Sequence, residues 1–182
     1  MKKLIVIGVI MLMVVVGMVS VVRAGSSDTM TLTVFVTAPL DVTIYATDYD
    51  FGTVALNSTS ISTTSTAVRN TSTAAVETYK LRVSAGDSGW TIASSTAGQN
   101  NVRIQAIWNT SQPGSVPDNA SHNLTITDQT CNGTLFAGTG AKDGVSESVN
   151  EEELLWFKLW TPQQTTTEGT KKLYLTITAI LG

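Results

Sequence analysis

Apolar and polar residues alternate in several short runs along this chain, and the alternation predicts β-strands. Successive side chains of a strand point to opposite faces, so a half-buried strand is apolar at every second residue. Tyr79, Leu81 and Val83, for example, are separated by charged residues. Runs with the same period cover residues 31–37, 42–47, 79–84, 102–108, 155–160 and 172–179.

Clusters of turn-forming residues separate these runs, as in SAGDSGW (84–90) and NTSQPGSVPDNAS (109–121). Short strands divided by such turns predict an all-β protein: a single immunoglobulin-like β-sandwich, jelly-roll or Greek-key, of about 8–10 strands over residues 25–182. One segment, 146–155, could form a single helical turn capped by Ser146 or Ser148.

The N-terminus indicates export. Two lysines precede an almost unbroken apolar run over residues 4–22. This pattern predicts a signal peptide over residues 1–24, cleaved between Ala24 and Gly25. Because the run is also long enough to cross a bilayer, an uncleaved membrane anchor is the alternative. Either way, we expect the domain to lie outside the cell, secreted or at the cell surface.

Charge and composition narrow the classes of function. The formal net charge is −3 and becomes more negative when the basic residues of the signal segment are removed, which argues against a nucleic-acid partner. Cys131 is the single cysteine, so it is either a small residue in a turn or a thiol that links two chains. His122 is the single histidine, at a loop edge where we expect it to be solvated. No catalytic set can be assembled, so we expect no enzyme activity and no cofactor.

The tripeptide Asp50-Phe51-Gly52 has the letters of a kinase metal-binding motif, but the phosphate loop, strand lysine and catalytic loop of a kinase are missing. A structural interpretation is better. It makes Asp50 a turn residue, Phe51 a plug in the core and Gly52 a site of close backbone approach, with Val54 continuing into a strand.

The letters DFGTVALNSTS (50–60), VRNTSTAAVETYKLRV (68–83) and Trp90 carry a family resemblance. This part of the chain, residues 40–92, resembles immunoglobulin-like domains of the Hydin (ASH) kind and related bacterial or archaeal adhesin- or pilin-type surface modules. The resemblance implies a β-sandwich with a non-enzymatic surface, adhesive or scaffold role.

The sequence contains candidates for a ligand site and for modification sites. Asp48 and Asp50 could supply oxygen ligands to calcium, but turn formation is the better explanation of both, so we expect no metal site. Acceptor motifs for N-glycosylation begin at Asn57, Asn70, Asn109, Asn119, Asn123 and Asn132.

Tryptophan placement leaves two functions open. Trp156 and Trp160 lie on the strand face opposite Leu155 and Phe157. They are therefore either buried, within the domain or at a subunit interface, or exposed for a ligand or partner. The first hypothesis is that the protein is a structural subunit of a filament, pilus or surface layer. The alternative is a carbohydrate-binding or adhesion module that uses Trp108, Trp156 and Trp160.

Segment 29–37 makes the structural-subunit hypothesis more specific. It follows the predicted cleavage site directly and alternates, with Leu32, Val34 and Val36 on one face. Such a strand can add to the open edge of a neighbouring subunit, so we expect partners to be further copies of this chain or other surface proteins. Pairing of the segment within its own domain is the alternative.

Overall fold

The computed structural model describes residues 33–34, 39–46, 48–86, 89–115, 120–140 and 143–182. The predicted signal peptide, its cleavage site at Ala24–Gly25 and most of segment 29–37, including Leu32 and Val36, lie outside these residues. The chain divides into two compact units, Met1–Val36 and Thr37–Gly182. In the first, Thr33 and Val34 are described, and both are exposed.

Nine strands in two packed sheets form the described part of the second unit, which confirms the predicted all-β sandwich. A short 3-10 helix at Ala120–His122 was not predicted. The strands are β1 (Val42–Ile44), β2 (Thr59–Ile61), β3 (Thr66–Asn70), β4 (Glu77–Ala85), β5 (Thr91–Ile92), β6 (Asn101–Trp108), β7 (Gln129–Thr130), β8 (Glu152–Trp160) and β9 (Leu173–Leu181).

The larger sheet is built around β8 and has the order β1-β3-β8-β6-β5. Strands β3 and β2 pair with the first and last parts of β8 along the same side, and β6 pairs antiparallel along the other. Strand β5 joins β6 in parallel. The alternating runs at 102–108 and 155–160 are thus neighbouring strands in the interior of this sheet.

The smaller sheet has the order β7-β4-β9. Strands β4 and β9 pair antiparallel over their whole length, from Glu77 opposite Leu181 to Ala85 opposite Leu173. Strand β7 pairs with β4 only at Lys80 and Leu81. Strand β4 is thus the centre of this sheet, and β9 forms one of its edges.

The core lies between the two sheets and uses the residues that alternation placed on the inward faces. Its fully buried members include Val68, Tyr79, Leu81, Ala106, Trp108 and Leu155. Removal of this much apolar surface from water is the main force that holds such a sandwich together.

Two local predictions differ from the structure. Residues 148–151 form a turn, in which the Glu151 amide donates to the Ser148 carbonyl and the Ser148 amide donates to the Glu151 carboxylate at 3.0 Å. The segment then enters β8 without a helix, because its apolar residues pair with β3 and β6.

Among the described residues, no helix has the length and apolar character needed to cross a membrane.

The stretch around Asp50 is a loop rather than a strand. Asp50 is confirmed as a turn residue, since its carboxylate accepts the Gly52 amide at 2.7 Å. Phe51 packs partly buried against the core and meets Tyr49 edge-to-face at 4.8 Å between ring centroids. The close backbone approach predicted for Gly52 is wrong, because a Cβ there would meet nothing within 4 Å. The position instead requires a positive φ of 68°, which glycine adopts at little cost.

Candidate assembly surface at strand β9

One side of β9 is bonded and the other has no strand partner in the part of the chain that the structure describes. The direction of its backbone groups follows from the ladder. Gly182 and Lys172 flank β9: the Gly182 amide donates to the Val76 carbonyl, and the Lys172 carbonyl accepts the Gly86 amide. Because every second residue of an antiparallel strand bonds to the same neighbour, the even-numbered residues of β9 bond to β4. The odd-numbered residues from Leu173 to Leu181 therefore direct their N–H and C=O groups to the open edge.

The opposite side of β4 has its polar groups satisfied. There the Tyr79 amide donates to the Gly144 carbonyl at 2.9 Å and the Val83 amide donates to the Thr125 carbonyl at 2.9 Å. The flanking loops thus cover the β4 side of this sheet with backbone bonds. Unpaired edge groups are a template for adding another strand, and they are concentrated along β9.

The apolar side chains of β9 are also incompletely covered. Leu173, Leu175 and Ala179 point inward but remain partly exposed, whereas Tyr79 and Leu81, their neighbours on β4, are fully buried. Strand β1 contacts β9 across the sandwich and contributes the partly buried Val42 and Ile44. We use the name β1–β9 groove for the surface formed by these five partly buried side chains.

Large apolar side chains are exposed next to this groove. Tyr174, on the outer face of β9, is 53% exposed, and Leu181 at the strand end is 63% exposed. Val76, beside Leu181 at the start of β4, is 44% exposed. Apolar surface that adjoins an unpaired strand edge is typical of an interaction surface.

A buried carboxylate marks the end of β9 where the chain enters the sandwich. Glu77 lies opposite Leu181, is fully buried, and accepts the Asp41 amide at 2.7 Å. Its second carboxylate oxygen has no hydrogen-bond partner among the described residues. Burial therefore raises the pKa of Glu77, although the Asp41 amide lowers it. Asp41 thus lies near the Leu181 end of β9.

The tryptophans do not form the exposed patch that a sugar-binding surface would need. Trp108 is fully buried, and Trp156 is buried against Ile107 with its indole N–H donating to the Asn109 carbonyl at 3.0 Å. Only Trp160 of the three predicted binding residues is partly exposed. The Arg103 guanidinium and the Lys158 ammonium lie over its ring at 4.4 Å and 4.1 Å from the centroid.

Trp160 also borders a cleft of about 280 Å³. Hydroxyl and amide side chains line most of it, among them Asn57, Ser58, Thr59, Thr96 and Gln163. The hydroxyl and amide side chains could hydrogen-bond with a small polar ligand, whereas Arg103 and Lys158 already cover the Trp160 ring.

Cys131 and His122 have structural positions. Cys131 is buried and its sulfur accepts the Trp108 indole N–H at 3.4 Å, so it is not an exposed thiol that links chains. Burial raises its pKa to about 12. His122, expected to be solvated, is buried instead, and burial lowers its pKa. It falls inside because the 3-10 helix carries it against β6.

Three of the predicted glycosylation acceptors are unavailable in the folded protein. The Asn70 amide nitrogen donates to the Ala75 and Glu147 carbonyls, both at 2.8 Å. The Asn109 amide nitrogen donates to the Ser111 carbonyl, and the Asn123 amide nitrogen donates to the Ser94 carbonyl. All three side chains are buried. Asn57 and Asn132 are exposed, and Asn119 lies outside the described residues.

The calcium candidates Asp48 and Asp50 are exposed, and Asp50 is engaged in its own turn. Within the described ranges, no group of three or more His, Cys, Asp or Glu side chains is arranged to hold a metal ion.

Comparison of the chain with protein-family models and with curated protein sequences finds no match.

Proposed function

We propose that this protein is an exported, non-catalytic structural subunit of a filament, pilus or surface layer, and that its subunits join by strand addition at β9. The observation that carries the proposal is the row of backbone groups along β9, beside the β1–β9 groove, that no described residue pairs with. An added strand would satisfy the backbone groups and bury the partly exposed side chains in one step.

The rest of the chain supports this role. Residues 1–24 have the pattern of an export signal, and the resemblance to Hydin-type surface modules implies a scaffold rather than a catalyst. An exported domain whose single cysteine is buried has no disulfide to reinforce it. Binding of the folded state to further copies would stabilise it by mass action instead.

The proposal is tested by a charge placed in the groove. In Ala179→Lys an inward, partly buried side chain of β9 becomes a cation. The neighbouring change Thr178→Lys puts the same charge on the exposed outer face of the same strand and is the matched control. We expect the chain from residue 25 onward to form assemblies visible by electron microscopy, Thr178→Lys to assemble as well, and Ala179→Lys to stay monomeric.

Circular dichroism of each variant confirms that the sandwich is folded before its assembly is compared. Assembly of Ala179→Lys at the wild-type concentration would contradict the use of β9. A wild-type chain that stays monomeric at every concentration would contradict the structural-subunit proposal as a whole.

A glycan-binding module is the second candidate, and the Trp160 cleft is the observation that favours it. The site is narrower than the three-tryptophan surface that the sequence predicts, because Trp108 and Trp156 are buried. If this candidate is correct, the wild-type chain binds members of a glycan array and Trp160→Ala loses that binding. Binding that is unchanged in Trp160→Ala would exclude the cleft.

A further inference from the structure

We infer that two copies of this chain join their β9 strands edge to edge, antiparallel, about a two-fold axis at Ile177. The inference rests on the proposed function, because it names the occupant of the same edge. It goes further in assigning which residue of β9 lies opposite which. The two three-stranded sheets then become one continuous sheet that runs through both copies.

Strand β9 lacks the features that normally keep a sheet edge from pairing with another chain. Its nine residues, LYLTITAIL, include no charged residue and no proline. Its pairing with β4 is regular from end to end, so it contains no bulge. Native edge strands are otherwise protected by lysine, proline, a bulge or a short length. A long, regular and uncharged edge is therefore suited to accept a further strand.

The backbone of β9 can pair with a second β9. The odd-numbered residues direct their N–H and C=O groups to the open edge, because the even-numbered ones bond to β4. In an antiparallel pair, two residues that exchange both hydrogen bonds lie directly opposite each other, so an odd residue must face an odd residue. Placing Ile177 opposite Ile177 of the second copy meets this condition and pairs all nine residues.

The inward side chains complement one another in this register. Leu173 lies opposite Leu181 of the second copy, and Leu175 lies opposite Ala179. Because directly opposite residues share a face of the sheet, each of these partly exposed side chains gains an apolar neighbour. Leu181, which is 63% exposed in the single chain, is covered in this way. The same surface on both copies is thus its own complement, as a two-fold contact requires.

The outer face fits the same register. Tyr174, 53% exposed, lies opposite Ile180 of the second copy, and Thr176 lies opposite Thr178. Aromatic residues paired with β-branched ones, and threonine paired with threonine, are stabilising combinations across a sheet. The lysines at 171–172 precede the strand and therefore lie at opposite ends of the pair in the two copies. No like charges face each other across the contact.

A two-fold contact closes on itself after two copies. The β9 contact therefore makes dimers, and growth of a filament or layer from these dimers uses a second surface of each subunit.

The test is a disulfide that this register permits and its neighbours do not. Thr176 and Thr178 of the two copies form a pair without mutual hydrogen bonds, with Cα atoms about 4.5 Å apart, and this separation admits a disulfide. Two Thr176 residues are diagonal neighbours at about 7–8 Å, as are two Thr178 residues, and both separations are too long to be bridged.

We expect a mixture of the Thr176→Cys and Thr178→Cys chains to form a covalent dimer in oxidised glutathione. Either chain alone should form almost none. Non-reducing gel electrophoresis of chains that begin at residue 25 measures this, and circular dichroism confirms that each variant is folded. The wild-type chain is the control for Cys131, which is buried and should not cross-link.

The outcomes separate this inference from the proposed function. If sedimentation shows that the wild-type chain associates but the mixture gives no covalent dimer, β9 has another occupant or register. The inference then fails while the structural-subunit proposal stands. Equal cross-linking of the mixture and of either variant alone would show random collision and would also overturn the assigned register. A mixture that cross-links while the wild type forms dimers and nothing larger would support the inference and contradict a filament or layer. A wild-type chain that stays monomeric at every concentration would overturn both.

Discussion

At the scale of single residues, several polar side chains that looked functional in the sequence serve the fold. Asn70, Asn109 and Asn123 have glycosylation motifs, yet each uses its amide nitrogen to bond a backbone carbonyl inside the domain. A tripeptide motif specifies the residues next to an asparagine but not whether its side chain faces the interior. The flanking turns decide that, and their geometry depends on contacts far along the chain.

Cys131 gives the first residue-scale prediction. Because burial raises its pKa to about 12, almost none of the thiol is ionised near neutral pH, and the sulfur is shielded from reagents. We expect the native chain to react very slowly with an aromatic disulfide reagent at neutral pH and to react fully in urea. Assembly should likewise be insensitive to reducing agents. Rapid labelling of the folded protein would contradict the buried position.

Glu77 gives a prediction for pH. Burial raises its folded-state pKa above the ordinary value of 4.5. Its contribution to stability is thus full below the unfolded-state pKa and is lost as pH rises through the folded-state pKa. Relative to Glu77→Gln, the wild-type chain should lose unfolding free energy between about pH 4 and about pH 7.

Urea unfolding of wild type and Glu77→Gln at both pH values measures this change. Thr178→Lys, which changes an exposed residue on β9, is a control for general effects of charge. A stability difference between wild type and Glu77→Gln that does not vary with pH would show that Glu77 has an ordinary pKa in the folded chain.

At the scale of elements, alternation was a sound guide to the long strands and a poor one to the short ones. The alternating runs led directly to β4, β6, β8 and β9. Strands β2, β5 and β7 have only two or three residues each and are rich in threonine and other polar residues, so no period can be recognised in them. Their pairing is fixed by neighbours distant in sequence, as when β2 pairs with the end of β8.

The contact between the end of β6 and the loop after Phe136 supplies an element-scale prediction. The Trp108 amide donates to the Phe136 carbonyl at 2.9 Å, and a Cβ added at Gly138 would collide with the Trp108 backbone carbonyl. Gly138→Ala should therefore destabilise the chain by about 1–3 kcal/mol, the usual range for overpacking. The loop must move away from β6 to admit the methyl group.

Gly133→Ala is the matched control, because a Cβ there meets nothing within 4 Å. We expect its urea midpoint to lie close to that of wild type. Equal midpoints for Gly138→Ala and Gly133→Ala would contradict the close approach of the loop to β6.

At the scale of the whole molecule, the two sheets differ in how fully they are closed. The larger sheet surrounds β8 with strands on both sides. The smaller sheet, among the described residues, ends at the full-length strand β9, whose inward Leu173, Leu175 and Ala179 are partly exposed while Ile177 is buried. The sequence predicts the sandwich and an N-terminal strand that could be donated. It cannot show which edge is open, because that depends on the order of the strands in space.

Amide hydrogen exchange along β9 tests the central claim most directly. The account predicts that the amides of Leu175, Ile177 and Ala179, which point to the open edge, exchange faster than those of Thr176 and Thr178 in dilute monomer. On assembly, the three edge amides should become protected while the two that bond to β4 change little. Assemblies in which the Leu175, Ile177 and Ala179 amides exchange as fast as in the monomer would contradict strand addition at β9.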